Sequence, residues 1–134
     1  MPNASASLYE GIGGEEGIRR LIAAYIQTLR DDPGAQALYS LYSAHSLSRY
    51  EARLFEFLSG WLGGPAIYQE RHGMPMLREG HRSIPITPDL MRQWVRAMDA
   101  ALEQTVSDKA LRLKLSGAFT AMAQSLVNTP PAQS

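Results

Sequence analysis

Cysteine is absent from the 134 residues of this chain. Disulfide bonds, thiolate nucleophiles and cysteine-ligated zinc or iron–sulfur centres are therefore excluded. The chain also lacks an apolar run of the roughly 18 residues that a membrane-spanning helix needs, and residues 1–7 lack the basic start and the apolar stretch of a signal peptide. These absences favour a cytoplasmic protein without a membrane partner.

An excess of either charge is missing too. Thirteen Lys and Arg residues balance thirteen Asp and Glu residues, which gives a formal net charge of zero and predicts no nucleic-acid partner. A glycine-rich phosphate loop, a His-Glu-x-x-His zinc motif and an EF-hand loop are also absent from the sequence. Because 45% of the residues are hydrophobic, length and composition instead predict a single domain with one core over residues 1–134.

The chain does contain a strong helical pattern of apolar residues. A first stripe at steps of three and four consists of Ile18, Leu21, Ile22, Tyr25, Ile26 and Leu29. Gly13 and Gly14 precede this predicted helix, and residues 31–34 end it. A second stripe consists of Tyr50, Leu54, Phe57, Leu58, Trp61 and Leu62. We expect Ser48 and Glu51 to begin that helix as a capping box, and residues 63–65 to end it.

Two further helices are predicted in the last third of the chain. Thr87 is a suitable N-cap, with Pro88 at the first helical position. Asp108 is the N-cap candidate of the last helix. The apolar faces of these two helices comprise Leu90, Trp94, Met98 and Leu102 on the first and Leu111, Leu115, Ala118 and Met122 on the second. No convincing strand pattern is found, so the predicted fold class is all-α.

The three histidines are the main candidates for chemistry. His45 lies in a serine-rich polar connection, and we expect it at the surface. His72 and His81 are separated by eight residues, which is not the spacing of a two-histidine metal site. His81 lies in an irregular segment between two long apolar helices, and two such walls with one imidazole suit haem, a flat apolar ring whose iron takes a neutral nitrogen. An ordinary helical core needs the same apolar stripes, so the residues alone are compatible with a haem site and with a core that binds no cofactor.

Several motifs occur together and in order along the chain. They are Gly13-Gly14, Phe-Leu-Ser-Gly-Trp-Leu-Gly-Gly-Pro at 57–65, Tyr-Gln-Glu-Arg-His-Gly-Met-Pro-Met-Leu-Arg-Glu-Gly-His at 68–81, Trp94 with Met98, and Ser-Leu-Val-Asn at 125–128. With these motifs the chain resembles a group II truncated haemoglobin over about residues 8–130. The resemblance implies a two-on-two helical sandwich around haem b (iron protoporphyrin IX), flexible tails at 1–7 and 130–134, and a monomer or a homodimer.

The resemblance also implies which residues hold the haem. His81 becomes the iron ligand, with its second ring nitrogen hydrogen-bonded to fix the ring. Apolar contacts with the haem are implied for Leu54, Phe57, Leu58, Met76, Leu77, Ile86, Trp94 and Met98. The residues that resemble partners of the haem propionates are Arg53, Tyr68, His72 and Arg78. Ordinary surface charge is the alternative for these four.

On the ligand side the chain departs from the family. Aligned without a gap from Gly13-Gly14, Ile26 takes the position of a tyrosine that hydrogen-bonds oxygen in the family. Tyr25 is one residue earlier, and one step turns a helical side chain by about 100°. We therefore expect Tyr25 to pack against a neighbouring helix, and Trp94→Phe to speed oxygen release more than Tyr25→Phe. The expected ligand pocket comprises Ile26, Tyr42, Tyr50, Leu54 and Trp94, with Tyr42 and Trp94 as hydrogen-bond donors and Tyr50 as a gate or a substitute donor.

Three classes of function fit these expectations. The first is binding of oxygen, carbon monoxide or nitric oxide at a five-coordinate haem iron, for storage, delivery or sensing. The second is redox catalysis at the same haem, as a nitric oxide dioxygenase or a peroxidase that takes electrons from a separate reductase, so whether the chain is an enzyme stays open. The third is a haem-free helical interaction module, which predicts a colourless protein, whereas both haem functions predict a strong Soret band.

Overall fold

Helices form all of the regular secondary structure in residues 7–44, 46–82 and 84–130, the part of the chain that the structure, a computed structural model, describes. They are α1 (Leu8–Ile12), α2 (Gly14–Asp31), α3 (Gln36–Ser43), α4 (Leu47–Trp61), α5 (Ile67–His72), α6 (Leu77–Gly80), α7 (Pro88–Thr105) and α8 (Lys109–Ser125), with a short 3-10 turn at Pro33–Ala35. The predicted all-α class is confirmed. His45 and most of both tails lie outside the described residues.

Two helix pairs form the layers of the fold. Helix α2 packs most extensively against α7, and it also packs against α4, while α7 packs against α8. The pair α2–α4 thus lies against the pair α7–α8, which is the expected two-on-two sandwich. Among the described helices, none combines the length and the hydropathy that crossing a bilayer requires.

The apolar stripe of α2 supplies the centre of the core. All six residues of the stripe predicted over 18–29 are buried, and Tyr25 is completely inaccessible to solvent. At its start, α2 approaches the end of α1 so closely that a Cβ atom at Gly17 would overlap the carbonyl oxygen of Ile12. Gly13, which separates the two helices, has φ +105°, a conformation that glycine adopts without steric cost.

Side-chain caps fix the start of three long helices. The Thr87 hydroxyl accepts a hydrogen bond from the Leu90 N–H, and the Asp108 carboxylate accepts from the N–H groups after it, so both predicted starts are confirmed. The predicted capping box at Ser48 is wrong. Helix α4 begins at Leu47, and Ser46 is the N-cap, with its Oγ 3.3 Å from the Arg49 nitrogen. The earlier start lets Leu47 pack on the core from the first turn.

The segment between α4 and α7 is built from short helices. The chain leaves α4 through Gly63, which has φ +101°, forms α5 and α6, and then runs without regular structure to the Thr87 cap. This arrangement brings His81, directly after α6, between the long helices.

Candidate functional site

A cavity lies between α4, α7, the end of α8 and the segment that carries His81. Its empty space, including the part open to solvent, is about 600 Å³. The lining is almost entirely apolar or aromatic and consists of Leu38, Tyr42, Tyr50, Leu54, Phe57, Leu77, His81, Ile86, Leu90, Met91, Trp94, Met122, Ala123 and Leu126. A single imidazole in an apolar cavity is a candidate ligand for a cofactor metal.

The imidazole of His81 is held by one backbone carbonyl. Its Nδ1 lies 2.7 Å from the carbonyl oxygen of Leu77, one helical turn earlier. Because a carbonyl oxygen can only accept, Nδ1 carries the hydrogen. This contact orients the ring and selects the neutral tautomer in which Nε2 is the nitrogen that can bind a metal.

Three of the lining residues, Tyr42, Tyr50 and Trp94, form an aromatic cluster with Tyr25. The hydroxyl oxygen of Tyr50 lies 2.6 Å from that of Tyr25 and accepts a hydrogen bond from the indole N–H of Trp94 at 3.2 Å. The rings of Tyr50 and Tyr42 stack with their centroids 3.7 Å apart. Burial raises the pKa of both Tyr25 and Tyr50 well above the ordinary value of a phenol, so both side chains are neutral and retain their hydrogens.

Counting hydrogens in the aromatic cluster narrows the donors available to the cavity. The indole of Trp94 has one N–H, and it points to Tyr50. In the Tyr25–Tyr50 pair either hydroxyl can be the donor. Because Tyr25 is fully buried and a buried hydroxyl without an acceptor is costly, we infer that Tyr25 donates to Tyr50. The hydroxyl hydrogens of Tyr50 and Tyr42, which both line the cavity, are then available to a group in it.

The structure corrects the expected ligand pocket in three respects. Ile26 is buried in the core and is not among the lining residues. Tyr25 does pack against neighbouring helices, as expected, but its hydroxyl reaches the aromatic cluster, because residue 25 of α2 faces Tyr50 and Trp94. The N–H of Trp94 is already used on Tyr50, so Trp94 has no second hydrogen to donate. The other three pocket residues, Tyr42, Tyr50 and Leu54, line the cavity.

The residues expected to contact the haem divide into two groups. Those that line the cavity are Leu54, Phe57, Leu77, His81, Ile86 and Trp94. Leu58 and Met98 do not line it, because they are completely buried in the core, and Met76 does not because it is 63% exposed. Sequence analysis missed Leu38, Leu90, Met91, Met122, Ala123 and Leu126. Leu90 and Met122 were on predicted apolar faces, which was the available signal.

The residues expected at the haem propionates meet around Glu56, a buried carboxylate that sequence analysis missed. One oxygen of Glu56 lies 2.8 Å from Nε2 of His72 and 3.6 Å from Arg53. The other accepts a 2.8 Å hydrogen bond from Arg71. Tyr68 lies beside His72, with ring centroids 4.9 Å apart. None of these residues is among those lining the cavity.

The charge of Glu56 is maintained by its partners. Burial alone raises the pKa of the carboxyl, but the hydrogen bonds from His72 and Arg71 outweigh that effect and hold the pKa below its ordinary value. The sequence contains a signal for this residue, since Glu56 is the one charged side chain in the run Leu-Phe-Glu-Phe-Leu at 54–58. Arg78, the fourth residue expected at the propionates, has a side chain outside the described part of the structure.

Comparison with known proteins identifies the class to which this fold and cavity belong. The family described as "Bacterial-like globin" matches residues 7–128. A protein of Bacillus subtilis named Group 2 truncated hemoglobin YjbI is 30% identical over 125 residues, which cover 93% of this chain and 91% of the relative.

Solved structures agree with this match. The cold-adapted truncated hemoglobin of the Antarctic bacterium Pseudoalteromonas haloplanktis is 36% identical, with a TM-score of 0.85 over 92% of this chain and 98% of the other. The group II 2-on-2 hemoglobin of Agrobacterium tumefaciens is 32% identical, with a TM-score of 0.88 over 96% of this chain and 99% of the other. The chain belongs to the bacterial-like globin family, as a truncated haemoglobin of group II. Membership implies a haem cofactor and haem-based binding of diatomic ligands.

The residues of the cavity fit a haem. Within the described residues no three His, Asp or Glu side chains are grouped to hold a metal ion, so a metal at His81 needs a cofactor that brings its own ligands. A porphyrin supplies four nitrogens to its iron, and its apolar faces match the lining of Phe57, Leu54 and Ile86. His81 contributes the one imidazole among these lining residues.

Proposed function

We propose that this chain binds oxygen and other diatomic ligands at the iron of haem b, with Nε2 of His81 as the protein's axial ligand. The observation that carries the proposal is the hydrogen bond from His81 Nδ1 to the Leu77 carbonyl, which orients the imidazole in an apolar cavity. When bound, the haem supplies an iron centre with one coordination position for a diatomic ligand.

The aromatic cluster supports a five-coordinate iron at rest. A phenol binds ferric iron through its oxygen as a phenolate, but burial keeps Tyr50 neutral by raising its pKa. Its oxygen already accepts from Trp94 and Tyr25. Burial also raises the pKa of Tyr42. Both tyrosines are therefore poor iron ligands, and the sixth position is left for an external molecule.

Tyr50 is the proposed hydrogen-bond donor to that external ligand. It lines the cavity, and its hydroxyl hydrogen is free for a ligand when Tyr25 donates to it, while its oxygen is held in place by the indole of Trp94. Accepting from Tyr25 and Trp94 polarises the hydroxyl and strengthens its donation. Such a bond to a partly charged ligand contributes about 1–3 kcal/mol, or roughly one to two decades in the dissociation rate.

The described lining favours reversible binding over peroxidase catalysis. Peroxide cleavage requires a group that moves a proton between the two oxygens. Among the lining residues that the structure describes there is no Asp, Glu, Lys or Arg, and the imidazole is the proposed iron ligand. Tyr50 can hold a hydrogen bond, but its raised pKa makes it a weak acid. Storage, delivery or sensing is accordingly the proposed class of role.

The Glu56 cluster is proposed to orient the cations that meet the haem propionates. Arg53 and His72 both contact Oε1 of Glu56, and this contact fixes them beside α4 and α5. Arg53 keeps 43% of its side chain exposed, so it can also contact a propionate at the edge of the cavity. Because such exposed pairs contribute little individually, haem affinity depends mainly on the apolar lining.

Two measurements test the proposed function. Absorption spectra of the ferric, ferrous and carbon monoxide forms are expected to show a strong Soret band. The ferrous spectrum is expected to be that of a five-coordinate iron and to change when carbon monoxide binds. A colourless protein that takes up no added hemin would contradict haem binding. Steady-state consumption of nitric oxide in the presence of oxygen and a reductase then separates the roles, since no sustained turnover is expected of a binding protein and repeated turnover would favour the redox enzyme.

A further inference from the structure

The segment that carries His81 is held by a residue far away in the sequence. Asn128 follows the last helix, α8, and its side-chain nitrogen donates to two carbonyl oxygens, that of His81 at 2.9 Å and that of Ile84 at 3.0 Å. Both hydrogens of the amide are therefore used on backbone groups of the segment 81–86.

The other groups of Asn128 bind the same segment. Its side-chain oxygen accepts a 2.8 Å hydrogen bond from the N–H of Ile86, and its backbone N–H donates to the carbonyl oxygen of Ile86 at 3.0 Å. Ile86 lines the cavity beside His81, and so does Leu126, two residues before Asn128. Asn128 thus links the residues that follow α8 to the segment 81–86, and each of these two stretches contributes a residue to the cavity lining.

We propose that Asn128 is a positioning residue for His81, setting the height and rotation of its imidazole in the cavity; this inference rests on the proposed axial role of His81. The imidazole is fixed at Nδ1 by Leu77, and the backbone carbonyl of the same residue is fixed by Asn128. Without the second contact, the His81 carbonyl keeps its hydrogen bond from the Ile84 N–H, which lies within the same segment and does not join it to α8.

The side-chain chemistry at position 128 is specific. Asparagine supplies two hydrogens and an acceptor from one planar group, and here each of them has a partner. Aspartate has nearly the same shape and keeps the acceptor for Ile86, but it replaces the donors with an oxygen that faces two carbonyl oxygens. The change Asn128→Asp therefore removes the contacts with His81 and Ile84 and keeps the one with Ile86, whereas Asn128→Ala removes all three side-chain contacts with the segment 81–86.

The test compares these two variants with Ser125→Ala. Ser125 ends helix α8, three residues before Asn128, but its hydroxyl donates to the Met122 carbonyl and makes no hydrogen bond to the described residues of the segment 81–86. In the ferrous haem-loaded protein, resonance Raman is expected to show a shifted or broadened iron–histidine stretching band in both Asn128 variants and an unchanged band in Ser125→Ala. Unchanged bands in both Asn128 variants would overturn the proposal.

A second readout uses the haem-free protein. Hydrogen exchange at the Ile86 amide is expected to be roughly fivefold to tenfold faster in Asn128→Ala, which loses the acceptor, and close to wild type in Asn128→Asp, which keeps it. Equal exchange in wild type and Asn128→Ala would contradict the contact itself. If the wild-type protein shows no band that depends on His81, the proposed function fails instead, and the exchange result still reports on Asn128.

Discussion

The hydroxyl oxygens of Tyr25 and Tyr50, residues on α2 and α4, lie 2.6 Å apart beside the cavity. This hydrogen bond changes the role of both residues relative to the expectation from sequence. Tyr25 holds Tyr50 from a fully buried position, and in the proposed assignment Tyr25 donates, so that the hydroxyl hydrogen of Tyr50 is available in the cavity. Trp94 supports the same oxygen from α7.

Replacing Tyr50 tests this assignment. Tyr50→Phe is expected to speed oxygen dissociation by about one to two decades, because it removes the free donor. Tyr25→Phe and Trp94→Phe are expected to have smaller and similar effects, since each removes one hydrogen bond to Tyr50 and leaves its hydrogen in place. Stopped-flow oxygen release measures all three rates. A larger effect of Trp94→Phe than of Tyr50→Phe would mean that Trp94, and not Tyr50, donates the hydrogen bond to the bound ligand.

The lowered pKa of Glu56 predicts how the free energy of unfolding depends on pH. Its pKa is lowered in the folded protein, so its contribution is fully present above the ordinary pKa of the carboxyl and is lost as the pH falls through the lowered value. In Glu56→Gln the free energy of unfolding is expected to be lower than in wild type at neutral pH, with a difference that shrinks in acid. Denaturant titrations of the haem-free protein across this range measure it. A difference that is constant with pH would contradict the ionic role of Glu56.

Two glycines provide a matched pair for the packing of α1 on α2. Gly17→Ala is expected to destabilise the fold by about 1–3 kcal/mol, because its Cβ overlaps the Ile12 carbonyl. Gly117→Ala, in α8, meets no atom within 4 Å, and it is expected to stabilise by up to about 1 kcal/mol through helix propensity. Thermal or denaturant unfolding measures both. Equal effects of the two substitutions would mean that α1 can move away from α2 without lowering the free energy of unfolding.

Much of the helical framework was predictable because it depends on local signals. The stripe of α2 has the helical period, and Thr87 and Asp108 cap with their own side chains, so sequence and structure agree there. The start of α4 was misplaced because several serines compete for one cap, and the packing of Leu47 selects Ser46. That selection depends on tertiary contacts, which a capping pattern does not contain.

The candidate site was less predictable, because side-chain direction and pairing are tertiary properties. The apolar walls and the segment with His81 followed from the pattern and the resemblance. The choice between Tyr25 and Ile26 depended on which residue of α2 faces Tyr50, and an ungapped alignment does not determine this. Glu56 was not identified from the sequence, since its partners Arg71 and His72 are on another helix.

Axial ligation by His81 is the central claim, and its most direct test is His81→Gly reconstituted with hemin, with and without added imidazole. We expect the ferrous variant to lose the iron–histidine stretching band and to regain it when imidazole fills the space left by the side chain. His72→Gly, which removes a histidine that contacts Glu56 and not the cavity lining, is expected to keep the band. An unchanged band in His81→Gly without imidazole would contradict the account.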